Sequence, residues 1–595
     1  MDIGAQINEL REQKNISLEE LALGICSREG LRNIELGKEA VNKLLMEIMF
    51  QRLGKSTDKL ELILSEEVYE EDLLLERYEE LLERGDGEQA DRVLEQFIEQ
   101  APKDSNVHQM FYCRSKAYAE LWMNKNPEAA REWIQKALDL TMPGWQEKRL
   151  EEFWVSTVEM ENLLAYAKAL SAIGTRKELQ TAELLLASCG RFIDSRITDG
   201  EEHAKIAAKC AHLLAEIYIK QGEREEAEQC AERAFRELRE YGISYFMEPL
   251  LELLVQCNGD DKGEKTLLYQ NYLTALQHVK QYVGEDWRFK DSVFKNCSQQ
   301  TCYLDYELFR EERIAQGYSQ NEMIEGVYKN PESLSKAERG KVIMRDSKLM
   351  RLFHRLGIDK SRYNGFVVTD DYAVLELKKQ VDILLSRICY EEAEEKLEEL
   401  KNRLDLGIAE NRRIVQGYEI SIGVEKKEKS MEELLKQAQT LLEETYRLQS
   451  HGTYRSPMDR EVSLINQIGI LLCNLDRKKE AIQLFHYMTL AMKNSKVSMK
   501  KRSRQYGLLR ANLAKWECSV PMARENIRFT LICGKLHTLS IDYMTIACAM
   551  LDNPANKDTC RVMIKDCFYL CDLACNEVNK EITKKYYMKK FMEEL

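Results

Sequence analysis

Leu214-Ala215-Glu216-Ile217-Tyr218-Ile219-Lys220-Gln221-Gly222, followed at once by Glu223-Arg224-Glu225-Glu226-Ala227, is the stretch that decides the fold. Small and large apolar residues recur every three or four positions, a glycine interrupts them, and the period resumes through Ala231 and Ala234. This predicts a helix, a tight turn and a second helix, with alanines where the two helices must approach closely. The same internal spacing recurs at Ile468, Gly469, Leu472, Ala481 and Phe485. Weaker copies are Tyr118, Leu121, Ala130, Ile134 and Ala137, and Ala511, Ala514, Ala523 and Ile527. Across 595 residues proline is scarce at 8, charged residues make up 32%, and no sustained alternation argues for a sheet. The chain reads as all-α, in layers of amphipathic helices.

Composition excludes several function classes. No apolar run approaches the length that spans a bilayer. Met1-Asp2-Ile3-Gly4 does not open a basic and then hydrophobic leader, so no signal peptide is expected. The 17 cysteines lack paired metal-type spacing and read as reduced, mostly buried thiols of a cytoplasmic protein. Cys567, Cys571 and Cys575 share one helix face, where core packing is the expected role. A net charge of −14 argues against indiscriminate coating of nucleic acid, though not against small local basic surfaces. Gly54-Lys55-Ser56 resembles the end of a phosphate loop, but the upstream glycine position holds Met49. With no nucleophile-elbow or dinucleotide motif and only 8 scattered histidines, neither an enzyme nor a metal or other cofactor is expected.

The chain also repeats itself. Phe50-Gln51-Arg52-Leu53-Gly54 aligns with Phe353-His354-Arg355-Leu356-Gly357 at an offset of 303. The same offset pairs Tyr69 with Tyr372, Leu74 with Leu377, Ala90 with Ala393, Leu94 with Leu397 and Phe97 with Leu400. One register that begins before the helical hairpins and runs into them predicts two related halves.

Each half opens with a compact segment. In the first, Ile3, Ile7 and Leu10 form one helix face. Ser17 and Glu20 form a capping box ahead of Leu21-Ala22, and Gly24 ends that short helix. Ser27 caps a third helix with Leu31 and Ile34 inward, closed by Gly37. The second half repeats this with Arg313, Gly317, Ser319, Gln320, Met323, Gly326, Leu334, Ala337, Glu338 and Gly340, and Asn330-Pro331 starts its third helix. The segments resemble the Cro/C1-type (XRE) helix-turn-helix family, through Arg11, Ser17, Leu21, Ala22, Gly24, Leu31, Ile34, Glu35 and Gly37. Leu18 stands where the family has a phosphate-contacting glutamine; the second copy keeps Ser319-Gln320. The first segment is slightly acidic and the second slightly basic, which favours the second for DNA.

The hairpins resemble tetratricopeptide (TPR) repeats, which stack into a curved solenoid. The domain order is then helix-turn-helix over 1–61, TPR-like array over 62–295, second module over 303–361 and second array over 362–595. That order resembles the RRNPP group of bacterial peptide-pheromone receptors, PlcR-like members in particular, in tandem duplicate. The resemblance implies double-stranded operator DNA and a short signalling peptide as partners, with no membrane. It also implies either a pseudo-dimer within one chain or a homodimer.

By position in the motif, bases or phosphates would be met by Arg28, Glu29, Arg32 and Asn33, and by Ser319, Gln320, Glu332, Ser333, Ser335 and Lys336. Projected TPR spacing places Asn466, Asn474, Gln505, Asn512 and Lys515 on the concave face, where amides suit a peptide backbone. Two functions stay open: a peptide-controlled transcriptional regulator, and an interaction scaffold whose helix-turn-helix copies no longer bind DNA.

Overall fold

The computed structural model describes residues 3–39, 41–258, 263–284, 294, 300–344, 346–357, 367–369, 371–427, 429–446 and 456–594, without the side chains of 315, 346, 459–460 and 503–505. Two series of helices follow one another. The first is α1 (Ile3–Gln13), α2 (Leu18–Ala22), α3 (Arg28–Glu35), α4 (Lys43–Arg52), α5 (Glu66–Glu83), α6 (Gly87–Gln100), α7 (Asn106–Ala119), α8 (Pro127–Thr141), α9 (Thr157–Ile173), α10 (Arg176–Arg196), α11 (Gly200–Gln221), α12 (Arg224–Tyr241), α13 (Met247–Asn258) and α14 (Glu264–Val283). The second is α15 (Asp305–Ala315), α16 (Gln320–Ile324), α17 (Pro331–Ala337), α18 (Asp346–Arg355), α19 (Tyr372–Ser386), α20 (Tyr390–Arg403), α21 (Ala409–Lys426), α22 (Met431–Glu443), α23 (Asp459–Asn474), α24 (Lys478–Lys493), α25 (Ser503–Glu517), α26 (Val520–Ile532), α27 (Leu539–Met550) and α28 (Lys557–Leu573), with α29 (Glu577–Phe591) beyond them.

Local chemistry sets these elements. Ser17 with Glu20, Ser156 with Glu159, Ser319 with Glu322 and Ser430 with Glu433 close capping boxes at the starts of α2, α9, α16 and α22. From α5 and α19 onward the helices pair as antiparallel hairpins that stack into TPR-like solenoids. Ala215, Ala227, Ala231 and Ala234 are buried where α11 and α12 meet. Gly222 ends α11 in the left-handed region, with φ 88°. On α23, Gly469 leaves room for the Phe485 and Trp516 rings, whose centroids lie 4.7 Å apart. Cys567 and Cys571 are buried in the apolar core, and Cys575 is half-buried beside them. Among the described residues, no helix is long and apolar enough to cross a membrane.

The structure adds a small sheet that the sequence pattern did not announce. Strand β1 (Glu61–Leu64) pairs in parallel with β2 (Thr301–Leu304), Glu61 opposite Thr301 and Leu64 opposite Leu304. Four residues are too few to show alternation, and β2 is buried throughout. The entire first solenoid serves as the crossover.

The two series meet again at their far ends. Ser244 N donates to Gly534 O at 2.9 Å, and Leu536 N donates to Gly242 O at 3.0 Å, around the antiparallel bridge Ile243–Lys535. These reciprocal bonds join the turn after α12 to the turn after α26. One apolar core runs from Ile3 through both opening segments into α21, and another joins α11–α14 to α25–α29.

Arg52 fixes the first opening segment to the solenoid. Its Nε and Nη2 donate to Glu159 at 3.1 and 2.5 Å, and Nη2 also reaches Thr141 O at 2.9 Å. Its Nη1 donates to Leu21 O at 2.9 Å and Leu23 O at 2.7 Å. Arg355 repeats the grip on the preceding short helix, donating to Met323 O at 2.7 Å and to Glu325 O, but from an exposed position. Arg52→Met therefore strands the Glu159 carboxylate in the interior and is expected to cost about 3–5 kcal/mol in urea unfolding. Arg355→Met is expected to cost about 1 kcal/mol. Equal effects would refute this distinction.

Asp542 on α27 is fully buried, and its Oδ2 accepts from Asn526 Nδ2 at 2.7 Å. Its Oδ1 has no hydrogen-bond partner among the described residues. Burial pushes its carboxyl up to about 8, against weaker pulls from Asn526 and Arg510. Because the folded value lies above the unfolded one, this site's stability is full below about pH 4 and is lost as pH rises through about 8. Asp542→Asn should flatten the fall in Tm between about pH 4 and about pH 8, as followed by circular dichroism.

Candidate functional site

The opening segments share one internal frame. Arg11 Nε and Nη2 donate to Glu35 at 2.6 and 3.0 Å, while Nη1 donates to Ile16 O at 2.9 Å. Arg313 does the same with Glu338, at 2.5 and 3.1 Å, and with Tyr318 O, at 2.6 Å. A bidentate arginine thus ties the first helix of each segment to the end of the third and closes the turn between.

On α3, Arg28, Glu29 and Arg32 are exposed and Asn33 is half-buried. Arg28 Nε lies 2.9 Å from Glu19 in a solvated pair. In the second segment Ser319 is occupied by its cap, donating to Glu322 at 2.6 Å. Gln320 Nε2 donates to Glu338 at 2.7 Å. Glu332 and Lys336 pair at 3.0 Å on the exposed face of α17. Ser333 Oγ donates to Asn330 at 2.8 Å, and Ser335 Oγ accepts from Arg339 at 2.6 Å. Both third helices therefore present polar side chains outward, held by local bonds.

Each solenoid has a concavity lined by the first helices of its hairpins. The second encloses a cavity of 490 Å³ between α19, α21, α23 and α25, closed by Glu201, Lys535 and His537. Its wall is apolar at Ile383, Ile414, Ile470 and Leu508. Several of its charges are paired: Lys378 with Asp382 at 2.7 Å, Lys379 with Glu201 at 3.0 Å, and Arg413 with Glu410 at 3.2 Å. Tyr418 Oη donates to Asp382 at 2.6 Å. Burial first, then Lys535, Lys379 and Arg387, push the His537 imidazole down to about 3, so a neutral ring with one donor and one acceptor nitrogen faces the cavity.

Asn466 lines this cavity and accepts from Asn512 Nδ2 at 2.7 Å. Asn474 and Lys515 are exposed and lie outside the lining. Asn474 follows Asn466 by eight residues, which keeps its helix face but displaces it by about 12 Å along the axis. The Gln505 side chain lies outside the described residues. Arg413, Tyr418 and His537 are among the many lining residues that TPR spacing did not point to; only their places on or beside first helices could have signalled them.

The first concavity is smaller, at 110 Å³, and densely charged. Lys43 meets Asp72 at 2.9 Å, Lys501 meets Asp72 at 2.5 Å and Glu76 at 2.9 Å, and Arg114 meets Glu161 at 2.5 Å. Burial opposes the charge on Asp72, but Lys43 and Lys501 hold its carboxyl well below the usual range. The two linings correspond. Leu75, Glu76, Glu79, Phe111, Arg114, Ser115 and Tyr118 in the first stand 303 residues before Lys378, Lys379, Asp382, Ile414, Gly417, Tyr418 and Ser421 in the second. Gly417 and Ser421 stand where the first lining has Arg114 and Tyr118, and the second cavity has the larger volume.

Residues 207–240, the later part of α11 with α12, match the tetratricopeptide repeat family. No curated protein matches the chain. Solved structures that match include that of Bacillus thuringiensis PlcR in complex with the peptide PapR7 and DNA. It has 16% identity and a TM-score of 0.32, covering 47% of this chain and 98% of that one.

Proposed function

We propose that the chain is a cytoplasmic DNA-binding transcriptional regulator controlled by a short peptide held in the second concavity. The carrying observation is the 490 Å³ cavity on the inner face of the second solenoid. Its apolar wall, its paired charges and the neutral His537 suit side chains and amides of an extended peptide. The two opening segments are read as Cro/C1-type modules, and the matching helix series and groove linings support an internal duplication. In this reading each half stands for one subunit of a pseudo-dimer. The peptide shifts the relative placement of the two modules and with it operator affinity. No catalytic step belongs to it.

A scaffold without DNA binding is the second reading. The Gln320–Glu338 bond favours it, since that amide is already committed inside the module.

Binding to DNA from upstream of the gene and its neighbours, at two salt concentrations, separates them. A regulator gives sequence-specific binding that weakens with salt; Gln320→Ala weakens it further, and Lys336→Glu lowers the salt slope by about one or more. No specific binding, with or without peptide-containing culture extract, selects the scaffold.

Gly417→Arg should place a guanidinium in the cavity, at the position that Arg114 holds in the first, and abolish any response of DNA affinity to that extract. A response that persists at full size would place the ligand elsewhere. Sedimentation should show one chain per particle; a stable homodimer with its own two-fold interface would remove the pseudo-dimer.

A further inference from the structure

We propose that the first concavity is a binding site for a phenylalanine residue of an extended chain, and that the protein fills this site itself with Phe294. The Phe294 side chain is 2% exposed, inside the groove between α5, α7 and α9. Its ring meets Tyr118 edge-on, with centroids 5.7 Å apart at 62°. The Arg114 guanidinium carbon lies 5.0 Å from the ring centroid, and Arg114 Nη2 donates to the Phe294 carbonyl at 2.7 Å. One arginine therefore reads both the side chain and the main chain of one residue, which is what recognition of a peptide requires. Arg114 is held for this by Glu161 at 2.5 Å and by Asn162 Oδ1 at 3.2 Å. Both partners come from α9 and are buried, so the guanidinium is positioned before any ligand arrives.

The matching positions of the second groove hold Gly417 and Ser421, and the guanidinium and ring that line it, at Arg413 and Tyr418, stand at other positions of its wall. The two grooves thus take different occupants. The first is matched to an aromatic residue with its carbonyl. Phe294 stands ten residues after Gly284 and seven before Thr301 in the same chain, so covalent connection supplies it at a millimolar-scale effective concentration. The division of labour is one groove satisfied from within and one left for a ligand from outside. This does not rest on the identity of the second groove's ligand.

The test uses the full chain and a fluorescein-labelled peptide copying residues 291–296, Asp-Ser-Val-Phe-Lys-Asn, with fluorescence anisotropy as the readout. Phe294→Ala vacates the site and should bind the probe at least about tenfold more tightly than the natural chain. Adding Arg114→Gln should remove that gain, and a probe with alanine for phenylalanine should not show it. Phe294→Leu keeps apolar volume without the ring and should give a smaller gain of the same sign; it decides the matter if the alanine variant fails to fold by circular dichroism. A folded variant that binds the probe no better than the natural chain, or binds the alanine probe equally well, overturns the proposal.

Discussion

The Arg52 guanidinium is the constraint on which the placement of the N-terminal segment depends. Each of its five N–H donors has an acceptor, two on the Glu159 carboxylate and three on the carbonyls of Leu21, Leu23 and Thr141. Those acceptors come from α2, α8, α9 and the turn after α2. One buried cation thus stitches a small three-helix unit to the second and third hairpins of the solenoid. A lysine could not do this, because three donors on a point charge cannot span a carboxylate and carbonyls on separate elements. Around it, Gly24 comes so close to Thr141 that a side chain there would overlap the Thr141 backbone. Asn106 Nδ2 bridges Gly24 O at 3.0 Å and Leu140 O at 3.2 Å.

The same economy runs through the first concavity, where lysines and carboxylates alternate in pairs. The second half follows the same plan with lighter side chains. Its Arg355 grips only carbonyls of its own segment among the bonds described, and its groove replaces an arginine and a tyrosine by glycine and serine. The two halves therefore differ most where each could meet something else: one groove is filled with charge and the Phe294 ring, while the other is open and mostly apolar. The reciprocal bonds between Gly242–Ser244 and Gly534–Leu536 hold the far ends of the solenoids together.

Much of this was legible in the sequence, for a physical reason. Hairpins are local, and alanines such as Ala227 and Ala231 mark close helix approach within a single turn of sequence. Caps such as Ser17 and Ser319 are equally local, and the structure places them where their spacing predicts. Arg11 with Glu35 and Arg313 with Glu338 were visible as motif positions, although not as ion pairs. What escaped is long-range. The pairing of Arg52 with Glu159 spans 107 residues, and strands β1 and β2 are four residues each, 240 apart. The concave face was projected onto Asn474 and Lys515 because spacing gives a helix face but not the depth along it. Phe294 sits in a stretch without periodicity, so nothing in its neighbourhood announced a partner on α7.

The parallel pair β1–β2 also has a consequence for how the chain is made. Synthesis delivers Glu61–Leu64 long before Thr301–Leu304. At ribosomal rates of 5–20 residues per second, β1 waits roughly 12–48 seconds for its partner. During that interval its backbone edge, apolar at Leu62, Ile63 and Leu64, has no strand to pair with. The nascent first solenoid must stay soluble with that edge uncovered, and the N-terminal half reaches its final form only after the linker to the second half has been translated.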